Sequence, residues 1–337
     1  MKLKIKLPHR LFAFSICVLS SLLLPRVNVH AQDTTVVAEP ESKVLAEKTD
    51  TETPTGSPKS KPVKNTFQSV WLIDNQTTLV PVKGTLEMDI MHRFGTVNNG
   101  YPDFWGFFAP SNIRLGVSYV PINRLNIGIG ITKSNMLWDG SAKYSLFTQT
   151  KGKYPVSVSW YSNIAYDTRK DKDKSIFKYR SQRLSFFHQL LIARKVTNKL
   201  SLQVAPSISY QNSVNGYLTK NDSTGKTIFK EMKHTHLAVA ISGKYKLTNV
   251  TSLMINYDQP VTKHATNNPS PNLSFGIEFN TGGHSFQLFL GNYFFLNPQR
   301  NNLYNHNSPF GYTKTDGTKV KGGQFLIGFN ITRLWNY

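Results

Sequence analysis

Cysteine is all but missing from this chain: Cys17 is the only one, and it sits inside an N-terminal apolar run. Once that run is removed, disulfides, thiol catalysis and cysteine metal sites are excluded together. No apolar stretch reaches the about 18 residues that a comfortable spanning helix needs, so a membrane crossing would have to use another architecture. Acidic residues are scarce, with 19 Asp and Glu against 40 Lys and Arg and a formal net charge of +21. In a cytosolic protein that balance would point to nucleic acid. In an exported one the anionic partner is a membrane surface with its lipid phosphates, and no nucleic acid is expected. Mean hydropathy is negative. That argues against a bundle of apolar helices but not against a barrel, whose strands set one polar residue inward for each apolar one outward.

What is present begins with an export signal. Lys2, Lys4, Lys6 and Arg10 precede the apolar stretch 11–24, Pro25 ends it, and Val29-His30-Ala31 offers a small-residue cleavage site. Residues 1–31 therefore read as a cleavable signal peptide. Ile16 before Cys17 does not fit a lipoprotein signal. Residues 32–65 are rich in Glu, Thr, Ser, Lys and Pro and poor in aromatics. Such a segment cannot bury enough apolar surface to order itself and reads as a disordered periplasmic leader. Apolar character returns in 66–81 through Val70, Trp71, Leu72 and Ile73, giving a short pre-barrel strand or plug segment.

From residue 82 to 337 the chain alternates. Twelve segments carry apolar residues at every second position, the period of a strand with one greasy and one polar face. They are 84–94, 112–120, 124–132, 140–149, 156–166, 183–194, 200–210, 234–246, 251–258, 272–280, 284–294 and 322–337. The segment 183–194 is ambiguous, because Phe186-Phe187 and Leu190-Leu191 place apolar groups on both faces. Pro206 lacks a ladder donor and predicts a bulge. Arg333 falls on the apolar face of the last segment, near enough to its end to snorkel.

Connectors sort by length. They are tight near 122–123, 151–153, 197–198, 248–249 and 282–283, and long at 95–111, 167–182, 211–233, 259–271 and 295–321. One short-turn side and one long-loop side is the layout of an outer-membrane barrel with both termini periplasmic. Aromatics on the apolar parity gather at segment ends: Phe94, Tyr166, Tyr210, Tyr257 and Phe294 beside the long loops, Tyr119, Tyr245 and Trp335 beside the turns. These form two interfacial girdles. The expected fold is all-β, a 12-stranded antiparallel transmembrane β-barrel of outer-membrane type.

Several runs also carry a resemblance. His92-Arg93-Phe94-Gly95, Asn112-Ile113-Arg114-Leu115-Gly116, Trp138-Asp139-Gly140 with Lys143-Tyr144, and Gln149 followed by Pro155-Val156-Ser157-Val158 stand out. With these runs the chain resembles an uncharacterised family of bacterial outer-membrane β-barrels. The resemblance implies a barrel, and it implies no catalytic residues.

Inward parity nominates Glu87, Asp89, Arg93, Arg114, Lys143, Lys244 and Glu278 as lumen-lining charges. Rings of such charges select solutes in pores; the alternative is that they pair across the lumen and hold the barrel or a plug in place. The expected function is a channel or transporter for small polar or anionic solutes. The alternatives are a plugged structural or adhesion barrel with ligand-binding loops and, further off, a lipid hydrolase. For the hydrolase, His188 is the best base, but no serine of its own segment shares its face, so no catalytic residue is assigned. His234 and His236 share one face, with His264 or His306 in loops as possible third ligands. No third ligand is fixed by the pattern, so neither a metal nor a cofactor is assigned. Expected partners are outer-membrane lipids and lipopolysaccharide phosphates, met in part by Arg169, Lys170, Lys172, Lys174 and Lys178, and the barrel-assembly machinery through the C-terminal strand.

Overall fold

Period-two segments of this length can satisfy their backbones in a membrane only by pairing side to side until no edge is left. The computed structural model describes residues 61–336 except 65, 222, 267, 314–316 and 318. The expected signal peptide, the leader up to residue 60 and Tyr337 lie outside the described residues. The first strands are β1 (Trp71–Leu72), β2 (Asn75–Gln76), β3 (Thr85–Thr96), β4 (Asn112–Ile122), β5 (Leu125–Thr132), β6 (Leu137–Phe147), β7 (Ser157–Asp167), β8 (Leu184–Lys195) and β9 (Leu200–Gln211). They are followed by β10 (Gly216–Lys220), β11 (Thr227–Glu231), β12 (Thr235–Lys246), β13 (Thr251–Pro260), β14 (Asn272–Thr281) and β15 (His284–Gly291). Helix α1 (Pro298–Tyr304), β16 (Tyr312–Thr313), β17 (Lys319–Val320) and β18 (Leu326–Asn336) complete the chain.

Twelve of these strands close into one antiparallel barrel in chain order, from β3 through β9, then β12 to β15, then β18 back to β3. The closing seam pairs Asn336 with Thr85 and Leu326 with Thr96, and its register shifts once, between Leu326 and Gly328. Apolar residues such as Leu115, Val117, Ile129, Val204, Ile255 and Leu288 face outward and exposed, while Asn126, Gln203, Asn256, Gln287 and Asn330 are buried on the inner face. Among the described residues no helix is long and apolar enough to cross a membrane.

Several expected boundaries shift, each for a local reason. β6 begins at Leu137 rather than 140, because Leu137, Trp138 and Asp139 pair with β5 and β7 at once. β15 stops at Gly291 rather than running to 294. There the Asn292 side chain accepts the Leu273 N–H and donates to the Pro271 and Asn307 carbonyls, drawing the chain off the ladder. β18 begins at Leu326 rather than 322. Pro206 makes no bulge: β9 keeps one register against β12 throughout, and its pairing with β8 resumes unshifted on either side of the proline. The ring removes a donor without adding a residue, so rungs are lost but the register holds. Finally, the long connectors carry structure of their own, in the β10–β11 hairpin, α1 and the β16–β17 pair.

Candidate functional site in the lumen

A barrel of about eight strands is filled by its own side chains; twelve leave space that they cannot fill alone. Here that space is taken by residues 67–78. Phe67, Val70, Trp71, Leu72, Ile73, Asn75, Gln76, Thr77 and Thr78 are all buried, and β1 and β2 form a hairpin turned by Ile73 and Asp74. Ile73 has φ of 57°, a conformation that a β-branched residue avoids. The wall holds it there: its N–H donates to Gln287 Oε1 at 3.1 Å and its carbonyl accepts from Asn330 Nδ2 at 2.7 Å. A strained backbone persists where surrounding contacts over-determine it in this way.

The rest of the hairpin is held likewise. Ser69 Oγ donates to Glu278 on β14 at 2.6 Å, and Gln287 Nε2 on β15 donates to the Trp71 carbonyl at 2.8 Å. Asn75 Nδ2 donates to Asn256 at 2.7 Å and Asp258 at 2.8 Å on β13, and Asn75 Oδ1 accepts from Gln189 on β8 at 3.3 Å. Lys143 Nζ on β6 donates to Gln76 Oε1 at 2.8 Å and to the Thr77 carbonyl at 3.2 Å. Gln203 on β9 reaches the Gln76 carbonyl at 2.8 Å, and Ser159 on β7 reaches the Thr78 carbonyl at 2.9 Å. At the tip, Asp74 pairs with Arg93 of β3, a fully buried guanidinium that also donates to Asn330 Oδ1 and stacks 4.4 Å from the Phe289 ring centroid. With Asn330 on β18, nine of the twelve wall strands bond this one segment. Towards the long-loop end α1 adds a second closure: Gln299 Nε2 donates to Asn163 at 2.9 Å, and Tyr304 donates to Gln211 at 3.0 Å.

All seven nominated charges are buried on the inner wall; five fall in three sets, while Lys143 bonds the hairpin and Glu87 stands apart. Arg93 meets the hairpin tip. Arg114 lays a fork on Asp139, with Nε–Oδ2 at 3.0 Å and Nη2–Oδ1 at 2.8 Å, and reaches Asp89 Oδ2 at 2.6 Å. Lys244 pairs with Glu278. Sequence reasoning misses Asp139 and Asp258. Asp139 lies just before the expected start of the 140–149 segment, in the part of β6 that the pattern leaves out, and Asp258 closes the 251–258 segment without standing out from it. Glu87 remains without a donor on either carboxylate oxygen. It lines a cavity of about 20 Å³ with Trp71, Asp89 and Lys143.

Two glycines make the Arg114 cluster possible. A Cβ on Gly130 would fall 2.3 Å from Arg114 Nη2, and one on Gly116 would fall 2.5 Å from Asp89 Oδ1. Gly130→Ala is therefore expected to cost about 1–3 kcal/mol of barrel stability by overpacking. Gly140→Ala serves as the control, since its Cβ would meet Ile164 at an ordinary 3.6 Å. Urea unfolding of the two variants in detergent checks this; equal midpoints would refute it.

On the outer face, Phe94, Tyr166, Tyr210 and Tyr257 lie at the long-loop ends of their strands, and Tyr119, Tyr245 and Trp335 lie at the turn ends. Phe294 lies beyond the end of β15, lining a cavity of about 350 Å³ with Phe94, Phe295 and Leu326. Trp138, exposed and paired across from Tyr166, joins the long-loop level. Arg333 is exposed at the turn end, beside His284 and over Trp335.

His188 has a serine neighbour from the adjacent strand rather than its own: Ser162 Oγ lies 2.9 Å from its Nδ1, and Trp160 Nε1 donates to the same hydroxyl at 2.8 Å. The trio stands midway along β7 and β8 on the outward face, where it satisfies its own polar groups. His264, in the loop after β13, approaches His236 with ring centroids 4.9 Å apart. Its Nε2 accepts the Lys233 N–H at 3.1 Å, which places its own proton on Nδ1. Burial, reinforced by Lys233, holds this imidazole below its ordinary pKa. An Nδ1 bearing a proton is no metal donor. His234 bonds the Gln211 carbonyl, and among the described residues no three metal-ligating side chains are grouped.

The profile of a family described as a membrane-bound beta barrel domain (DUF5777) matches residues 67–335, so the matched span begins with the hairpin and not with β3. No curated protein matches. Among solved structures, the chain is similar to an outer membrane channel from Pseudomonas putida F1, at 11% identity and a TM-score of 0.42, covering 76% of this chain and 97% of that one. It is similar also to the NanC porin, at 8% identity and a TM-score of 0.40 over 75% of this chain and 99% of that one. The toluene transporter TbuX of Ralstonia pickettii gives 8% identity and a TM-score of 0.35, over 77% and 91% of the two chains.

Proposed function

Because the chain belongs to that family of membrane-bound β-barrel domains, we propose that it is an outer-membrane channel for small polar solutes, held shut by its own 67–79 segment. The observation that carries this reading is how the hairpin is bound: by polar side chains, of which Glu278, Asn256, Asn330 and Gln287 keep partners of their own in the wall when it leaves. Arg114 stays with Asp89 and Asp139, Lys244 with Glu278, Ser242 with Asn256, and Asn330 with Gln287. A vacated lumen would thus be polar, partly paired and wettable. Withdrawal would bare Arg93 and Lys143, which attract anions, but also Glu87 and Asp258. The mixed signs support polar solutes over strong anion selectivity. Both termini would face the periplasm, with the long loops, their basic residues and lipopolysaccharide phosphates outside, and β18 presented to the assembly machinery.

The hydrolase reading loses ground on the geometry of Ser162 and His188. The hydroxyl already accepts from an indole, and no orienting carboxylate or amide bonds the imidazole among the described residues. A permanently filled structural barrel is the second reading, supported by the additional closure at α1. Planar-bilayer conductance decides between them. The full chain is expected to be silent with rare openings, and a barrel lacking both residues 67–79 and α1 to conduct steadily. Silence from that variant, once heat-modifiable gel migration shows it folded, would favour the structural barrel.

A further inference from the structure

The loop between β3 and β4 is unlike the other long connectors. From Val97 to Pro110 it carries one charged residue, Asp103, which is occupied by Asn99 Nδ2 at 2.9 Å. In its place are Tyr101, Phe104, Trp105, Phe107 and Phe108, all exposed, with Tyr101 at 76% and Phe108 at 79%. The connector after β7, by contrast, bears Arg169, Lys170, Lys172, Lys174 and Lys178. Five exposed aromatics within eight residues are not a surface that water stabilises, and a patch of this kind marks a partner.

Its placement says which partner. Phe104 stacks on Phe108 at 5.3 Å and approaches Phe107 at 5.9 Å and Trp105 at 5.5 Å. Phe107 meets Phe94 at 4.7 Å, and Phe94 meets Phe329 at 6.0 Å on the outward face of β18. One aromatic chain therefore runs from the membrane-facing wall over the rim into the loop. The loop is also pinned there: Gly106, at φ of 89°, packs so closely on Gly95 that a Cβ would fall 2.4 Å from the Gly95 carbonyl oxygen. Phe104 and Trp105 adopt left-handed backbone angles, φ of 44° and 53°, which bulky residues avoid, and both rings stay exposed there.

We infer that this loop is a membrane-inserting element, its aromatic cluster seated among the headgroups and upper acyl chains of the leaflet at the long-loop end. The occupant is lipid because the patch continues the lipid-facing wall without a break, and because its mixture of Trp, Tyr and Phe suits the interface. The inference rests on the membrane barrel and is independent of whether the lumen conducts.

The test places an environment-sensitive fluorophore at Phe108→Cys in the full chain carrying Cys17→Ser, with Lys172→Cys as the solvated control, in phosphatidylcholine–phosphatidylglycerol vesicles. Nitroxides attached high on the lipid acyl chains are expected to remove at least about half of the Phe108 signal, as for groups seated a few ångströms into the boundary, while aqueous cobalt quenches only the Lys172 control. Equal cobalt quenching at both positions overturns the inference in favour of a solvated loop. Shielding from lipid and water alike, accompanied by disulfide-linked dimers of the unlabelled protein, overturns it in favour of an interface with a second copy. If Phe108→Cys does not fold, Tyr101→Cys carries the same comparison.

Discussion

Arg114→Met is expected to lower the stability of the folded barrel by about 3–5 kcal/mol, the range found when one partner of a buried ionic cluster is removed. Arg114 gives Asp139 two parallel bonds and Asp89 a third, and all three side chains are buried. Without the guanidinium, two carboxylates would remain inside the wall with only Asn163 donating to one of them, at 3.0 Å. Arg114→Lys should recover part of the loss, since an ammonium restores the charge but cannot supply the fork. The informative comparison is Arg114→Met combined with Asp89→Asn and Asp139→Asn. If the penalty comes from stranded charge, this triple variant is more stable than Arg114→Met alone, even though it has lost more native bonds. Urea midpoints in detergent read all three, and a triple variant no better than Arg114→Met would place the cost in packing instead.

How much of this was legible in the sequence depends on whether the information is local. Strand periodicity is local, and it places all twelve wall strands, their antiparallel closure and the inward side of Glu87, Arg93, Arg114 and Lys143. Where both parities are apolar, the pattern has no side to choose. The structure turns Phe187 and Leu191 inward, onto Tyr161, Ala205 and Ala240, and so settles β8. Asp139 carries a usable signal, since it shares the parity of Lys143 on the same strand, but the expected segment begins too late to include it. Asp74 carries none. It stands in a turn of a two-rung hairpin, and its partner Arg93 is 19 residues away in sequence. Which wall amide meets which hairpin carbonyl is likewise fixed only when the barrel closes, because Asn330, Gln287 and Ile73 come from distant parts of the chain. The bonding of the lumen is therefore a property of the closed fold, whereas the wall is a property of its strands.

Asp74→Ala is expected to raise the frequency of channel openings by roughly a hundredfold, equivalent to about 3 kcal/mol against the docked hairpin. With the hairpin docked, Arg93 is fully buried and Asp74 is its only acidic partner among the described residues; with it withdrawn, Arg93 meets water. Removing Asp74 thus penalises only the docked state, and Asn330 and Phe289 keep the cost at the low end of the range. Glu87→Gln should act in the opposite direction. Docking seals Glu87 against Trp71 with no donor to either oxygen, while the nearby Lys143 ammonium bonds Gln76 and Thr77 instead. A neutral amide in that place costs less to bury than a carboxylate, so openings should become about tenfold rarer. Hydrogen exchange at Trp71 to Gln76 gives a second reading of the same equilibrium, faster in Asp74→Ala and slower in Glu87→Gln, and it does not require the lumen to conduct. Two variants moving openings and exchange together in opposite directions would identify the hairpin as the gate. Exchange that moves while conductance stays silent would leave it a plug, and if neither moves, the hairpin is held by its apolar contacts with Ala193, Met254 and Phe289 and not by its charges.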